Sequence, residues 1–465
     1  MTNSNKNLDL GTADIGPLLY KLSLPAITSQ IVNVLYNIID RVYIGHIPEV
    51  GATALTGVGV SFPIVTLIAA FAALFSFGAA PRASIFMGRG DKESAERTLG
   101  NSVSMLIIAA IILTTLVLLF HRPLLYLFGA SENTIDYGAR YIRIYAIGTI
   151  FVQLTLGLNA FISVQGFSKV AMFTVLIGAV TNIVLDPILI FGLNMGVAGA
   201  AVATVISQAL SAIFALRFMT GDRTILKIKR ENMKLDSSIA IPAVSLGLSP
   251  FVMQSTESLL MLAFNSQLLR FGGDLAVGTM TITSSLMQFA LLPVQGITQG
   301  GQAILSFNYG AGNLSRVKDA FKLQTKACVT FTGILWALFL LFPKVFAGFF
   351  TQDPLLLDQA GWAMRVYFAV IILFGIQISC QQSFIAFGDA RTSAFLAIFR
   401  KIIVLIPLIF ILPSLLNQKV FAVFLAEPVA DFIAVLTTSI MFARKMKLVE
   451  EEAQTQRNST DQLYQ

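Results

Sequence analysis

The sequence predicts an all-α polytopic membrane protein with twelve transmembrane helices in two pseudo-symmetric six-helix bundles. Three observations point there: long apolar stretches between short polar loops, basic residues gathered in alternate loops, and an internal duplication. Of 465 residues, 55% are hydrophobic and 12% charged, with mean hydropathy +0.76; soluble domains carry about 25% charged residues. At about 20 apolar residues per crossing, the spans fall near 16–44, 53–80, 98–120, 136–163, 170–192, 197–219, 238–268, 275–303, 320–342, 358–386, 393–414 and 419–443.

These spans divide the chain into a polar N-terminal segment 1–15, a six-helix lobe 16–220, a charged connector 221–237, a second six-helix lobe 238–444 and a polar tail 445–465. The start is polar and leads into a long apolar stretch, so insertion is expected to use the first helix rather than a cleaved leader. The Gln-rich end, 450–465, is expected to be disordered.

A net charge of +7 raises the question of nucleic acid, but its placement answers it. Arg89, Lys92 and Arg97 follow span two, Lys169 follows four, and Arg217, Arg223, Lys227, Lys229, Arg230 and Lys234 follow six. Arg316 and Lys318 follow eight, Arg391 follows ten, and Arg444, Lys445 and Lys447 follow twelve. The positive-inside rule then puts both termini in the cytoplasm of a cell (inner) membrane protein. The partner of this basic surface is the bilayer, and no nucleic acid is expected.

The chain repeats itself at a spacing of 222 positions: Gly88-Arg89-Gly90-Asp91 falls on Gly310-Ala311-Gly312-Asn313, and Gly166-Phe167-Ser168-Lys169 on Gly388-Asp389-Ala390-Arg391. The first helices match at 217 positions, Leu24-Pro25-Ala26 on Ile241-Pro242-Ala243, which sets Asp40 on Glu257. An even number of spans per repeat gives both halves one orientation and a pseudo-twofold axis along the membrane normal, an arrangement suited to alternating access.

In span one, Asn33, Tyr36, Asn37 and Asp40 recur at helical spacing and form one polar stripe. An intramembrane carboxylate is costly, so this stripe reads as an ion or substrate pathway, or as helix–helix glue. Pro25 on the same helix removes a backbone hydrogen bond and is a candidate hinge, or a static kink. In span five, Asn182 and Asp186 stand one turn apart, and the small-residue run after it ends in Thr204. Two carboxylates, an amide and a hydroxyl suit a hard cation such as sodium, or a proton held between neighbouring acids.

The second half offers Glu257, with Gln254 on its face, and the amides Gln377 and Gln381 as cavity candidates. Arg400 and Lys401 lie inside span eleven, where a lone cation is expensive. Glu257, or one of Glu427 and Asp431 a turn apart in span twelve, is expected to neutralise them. The 37 Phe and 14 Met suit varied lipophilic cations through cation–π attraction and adaptable packing, although most serve lipid contact or core. His46 and His121 read as interfacial, and Cys328 and Cys380 form neither a disulfide framework nor a metal site.

Taken together, Leu24-Pro25, Tyr36-Asn37-Ile38-Ile39-Asp40, Gly88-Arg89-Gly90-Asp91, the stretch from Asn182 to Thr204 and that from Pro293 to Gly312 resemble the multidrug and toxic compound extrusion (MATE) transporters over essentially the whole chain. The resemblance implies a V-shaped pair of six-helix lobes and efflux of lipophilic cations, driven by inward sodium or proton flow with no other cofactor. It also implies coupling-ion residues at Asp40, Asn182, Asp186 and Thr204, a further polar position at Asn159, and a cavity-lining role for Tyr36. One branch of the family carries an aspartate in span ten, where the segment Phe374 to Gln382 has no acid; a second-lobe site of that kind is not expected.

The expected function is a monomeric antiporter. The alternative is a lipid-linked oligosaccharide flippase of related architecture, which needs cations in its cavity to meet pyrophosphate. An enzyme is not expected, since no catalytic motif falls in the context its chemistry requires.

Overall fold

The computed structural model describes residues 10–463, with side chains described at all of these except Ser258 and 452–463. The first nine residues of the polar N-terminal segment lie outside that range. The described residues form helices and no strands: α1 (Ile15–Gly45), α2 (Gly51–Ser76), α3 (Ala79–Gly88), α4 (Lys92–Leu127), α5 (Ile135–Ile147), α6 (Thr149–Val164), α7 (Ser168–Pro187), α8 (Val197–Thr220), α9 (Ser237–Ser255), α10 (Glu257–Gly310), α11 (Leu314–Leu341), α12 (Pro343–Ala347), α13 (Pro354–Tyr367), α14 (Ile371–Ala386), α15 (Ala390–Ile398), α16 (Ile406–Leu415) and α17 (Lys419–Leu463). Short π-helical segments, Ile188–Gly192 and Phe399–Leu405, continue α7 and α15.

Nine of the described helices are long and apolar enough to cross a membrane, or eleven when each of two bent pairs is one span. That tally takes Ser237–Gly310 as a single helix of 74 residues, whereas a crossing needs about 20. Gly273 inside it has φ 62° and ψ −161°, a backbone no helix adopts. Division at Gly273 accounts for the difference from the twelve spans expected.

Spans four and ten, expected as continuous helices, are broken: α5 meets α6 at 58° and α13 meets α14 at 49°. Near each bend a side chain of the neighbouring helix donates to a backbone carbonyl. Thr114 Oγ1 donates to Ala146 O at 2.7 Å, and Trp336 Nε1 donates to Ala369 O at 2.8 Å. Thr114 and Trp336 lie 222 positions apart, so the two halves brace their bends from the same repeat position with different residues, on carbonyls 223 apart.

The repeated loops also share a backbone conformation. Gly90 and Gly312 have φ of 77° and 71°, and Gly166 and Gly388 have 89° and 75°, a region that glycine enters freely. Where the halves meet, Gly88 lies against the Phe307 carbonyl and Gly310 against that of Ile85, each so close that a methyl group would collide with the oxygen. The same spacing separates both members of this reciprocal contact, so the crossing of α3 with the end of α10 is pseudo-symmetric. Correspondingly, α1 packs on α10 and α7, while α9 packs on α2 and α15.

Pro25 lies inside α1, which continues through it. Ser29 Oγ donates to the Pro25 carbonyl at 2.9 Å, and Thr28 Oγ1 to that of Leu24 at 3.0 Å. The connector is tied to the first half: Gln165 Oε1 accepts from the amides of Ile225 and Leu226 at 2.9 and 2.8 Å, and Glu96 pairs with Lys229 at 2.6 Å. The expected disorder at the end of the chain gives way to helix, since α17 continues through Leu463. Glu, Ala and Gln there favour helix, and Glu450 is anchored by Lys318 at 2.7 Å.

Candidate ion site in the first half

Helix α7 packs against both α1 and α8, and this brings together side chains far apart in sequence. Asn182 Nδ2 donates to Asp186 Oδ1 at 3.3 Å and to Thr204 Oγ1 at 3.5 Å, while Thr204 Oγ1 donates to the Ala200 carbonyl at 3.0 Å. Asp40 reaches across from α1 to within hydrogen-bonding range of Asp186. All four residues are buried, Asp186 completely and Asp40 to 8% exposure.

The cluster is rich in acceptors and poor in donors. Asp40 Oδ1, Asn182 Oδ1 and Asp186 Oδ2 are buried with no hydrogen-bond partner. Neither acid belongs to any ion pair among the described residues. Arg41, next to Asp40 in the chain, acts on it only from a distance, its guanidinium lying over the Phe62 ring at 4.7 Å. Orphaned oxygens of this kind are satisfied by a proton or by a hard cation that takes oxygen ligands.

The stripe expected on α1 divides. Asp40 is buried and Tyr36 half-buried, whereas Asn33 is exposed and holds the Asn37 amide through its own carbonyl, at 2.6 Å. Tyr36 comes within reach of Gln208 on α8, and Tyr141 on α5 within reach of Thr204. Neither Gln208 nor Tyr141 stands out from the sequence pattern as a site residue. Gln208 had a signal, standing one turn beyond Thr204 on the same helix face; Tyr141 had none, because nothing local marks the contact of α5 with α8. Asn159 on α6 has a buried, unpartnered Oδ1 and stands outside the hydrogen bonds described above.

In the second half, Arg400 Nε donates to Asp431 Oδ1 at 2.8 Å and its terminal nitrogen to Glu427 Oε1 at 2.7 Å. Lys401 Nζ donates to Glu257 Oε2 and to the Met253 carbonyl, both at 2.6 Å. The structure thus sets all three acids against the two cations. Gln381 reaches Ser249 Oγ at 3.4 Å, Gln377 is buried with Oε1 unpartnered, and Gln254 is half-buried. Concave surfaces of about 440 and 520 Å³ lie elsewhere, around Phe421 between α13 and α17. The acid cluster of the first half is not part of either lining, and its chemistry makes it the candidate site in their place.

Comparison with known proteins adds the family. The MatE family model matches residues 25–188 and 250–411, one stretch in each repeat. The multidrug export protein MepA of Staphylococcus haemolyticus (strain JCSC1435) is 25% identical over 433 residues, spanning 93% of this chain and 94% of that protein. MepA of Staphylococcus aureus (strain NCTC 8325 / PS 47) is 25% identical over 90% of this chain and 92% of its own length. Among solved structures, a MATE in the bent conformation superposes with TM-score 0.91 at 22% identity, over 96% of this chain and 99% of that one. An outward-facing multidrug resistance MATE family transporter of the MOP superfamily does so with TM-score 0.89 and the same identity and coverage. With the family model covering most of both repeats, the chain belongs to the MatE family of transporters.

Proposed function

We propose that this protein is a secondary active multidrug antiporter, exporting lipophilic organic cations in exchange for inward H⁺ or Na⁺. The observation that carries the reading is the pair Asp40 and Asp186, donated by different helices, buried together without a basic partner and surrounded by acceptor oxygens that lack donors. Two such carboxylates repel while both are ionised, and an arriving cation removes the repulsion. Binding there draws α1 toward α7, and release lets them separate, which is a local switch for alternating access. The names of the MepA relatives support multidrug export as the class of cargo.

The switch acts between lobes 16–220 and 238–444, joined by the connector 221–237, with both termini in the cytoplasm. The reciprocal glycine contact of α3 and α10 supports a rocking axis near the cytoplasmic ends. Arg400 and Lys401 favour the antiporter over the flippase, because acids already hold both cations and a pyrophosphate would have to displace them.

Reconstitution in proteoliposomes tests the reading. Under an imposed sodium gradient, and separately under a pH gradient, the native chain expels a cationic dye with one of the two, which identifies the ion. Asp40→Asn remains folded and loses that efflux. Native-level efflux by the variant would overturn the assignment.

A further inference from the structure

The charged cluster in the second half is unbalanced. Glu427 and Asp431 stand one turn apart on α17, are 5% and 2% exposed, and bind the same guanidinium, that of Arg400. Arg400 cannot give up its proton, and it is itself 8% exposed, with the Phe374 ring lying 4.7 Å from its charge. Two carboxylates therefore face one cation where solvent is excluded. Lys401 does not restore the balance, because its ammonium is committed to Glu257 and to the Met253 carbonyl. Glu257, whose side chain is 64% exposed, neutralises Lys401 from outside the buried triad of Glu427, Asp431 and Arg400, which keeps two acids against one base. The remaining titratable neighbour is Tyr367 on α13, which bears no charge as a phenol.

An uncompensated charge inside the membrane is removed by protonation or by a counter-ion. A metal cation here would lie beside the guanidinium and be repelled by it. A proton needs no coordination shell, and it turns one carboxylate into a donor toward its neighbour.

We infer that the Glu427–Asp431 pair binds one proton against Arg400, giving the second half a proton site of its own, separate from Asp40 and Asp186. The proton is shared by the pair and completes the neutral triad that clamps the π-helical segment Phe399–Leu405 to α17. It is present whether or not the first-half site is occupied, so this inference goes beyond the antiporter reading and does not rest on it.

Infrared spectroscopy of the full-length chain in lipid tests it, through the C=O stretch of a protonated carboxyl and its shift on transfer to D₂O. The background is Asp40→Asn/Asp186→Asn, which silences the first half. A carboxylic-acid band is expected to persist in that background. Adding either Glu427→Gln or Asp431→Asn leaves one acid with one base, so each substitution alone abolishes the band, whichever oxygen carried the proton. Arg400→Gln in the same background leaves two buried acids and no cation, and the band grows about twofold as both become neutral. This variant also serves should an amide variant fail to fold. Absence of a band in the background chain overturns the inference, as does a band that survives either amide substitution or does not grow with Arg400→Gln.

Discussion

The two halves of this transporter bury acids in opposite ways. In the first half, Asp40 and Asp186 meet with no basic partner and with oxygens that lack donors. In the second, buried Glu427 and Asp431 are held by Arg400 at 2.6–2.7 Å, while Glu257, its side chain 64% exposed, holds the buried Lys401 at 2.6 Å. Acids of the same chemistry therefore meet opposite neighbours. An acid among acceptors is open to a passing ion, whereas an acid bonded to a fixed cation is committed to the fold. The duplication places Glu257 in register with Asp40, and the surroundings of the two acids have diverged.

Substitutions sharpen this contrast, and the largest effect is expected on transport. Asp186→Asn abolishes gradient-driven dye efflux while lowering the melting temperature little, because the amide retains the volume, keeps an oxygen for the Asn182 amide and removes a charge that had no basic partner. A large loss of stability would mean that the first-half acids are structural. Arg400→Met does the reverse, stranding Glu427 and Asp431; removal of one partner from a buried ion pair costs about 3–5 kcal/mol, read as a fall in thermal or denaturant midpoint.

An intermediate effect is expected where the halves cross. Gly88→Val and Gly310→Val force a side chain into the facing carbonyls of Phe307 and Ile85, and overpacking of this kind costs about 1–3 kcal/mol. The pseudo-symmetry predicts similar losses for the two, measured as unfolding midpoints in detergent; a harmless substitution at either position would break it. Smallest is Arg97→Ala, which removes the exposed 2.8 Å bridge to Asp236 at the connector. An exposed pair contributes about 0–1 kcal/mol, so efflux and stability should be near native.

Much of this architecture was legible because membrane insertion writes it into composition. Apolar length marks the crossings, and the Gly-rich loops after spans two, four, eight and ten announced the repeat through residues that the shared positive-φ turns require. The pairing of Asn182 with Asp186 was equally legible, being a single helical turn. The meeting of Asp40 with Asp186 was not, since it depends on how α1 packs against α7 more than a hundred residues later. Nor were the bends: Thr114 and Trp336 satisfy carbonyls on another helix, and nothing within α5–α6 or α13–α14 signals a donor waiting there. The division of the α1 stripe into buried Asp40 and exposed Asn33 likewise reflects neighbours on α7 and α8, which a periodic pattern does not name.

On the proposed function, the acids of the first half that lack a basic partner carry the exchanged ion. Its most direct test loads proteoliposomes with a cationic dye and records the counter-movement of protons, by an entrapped pH indicator, and of sodium, by radiotracer, as the dye is transported. One ion is expected to move against the dye in the native protein, and this counter-movement is expected to vanish in Asp40→Asn/Asp186→Asn. Undiminished counter-movement in the double variant would contradict it.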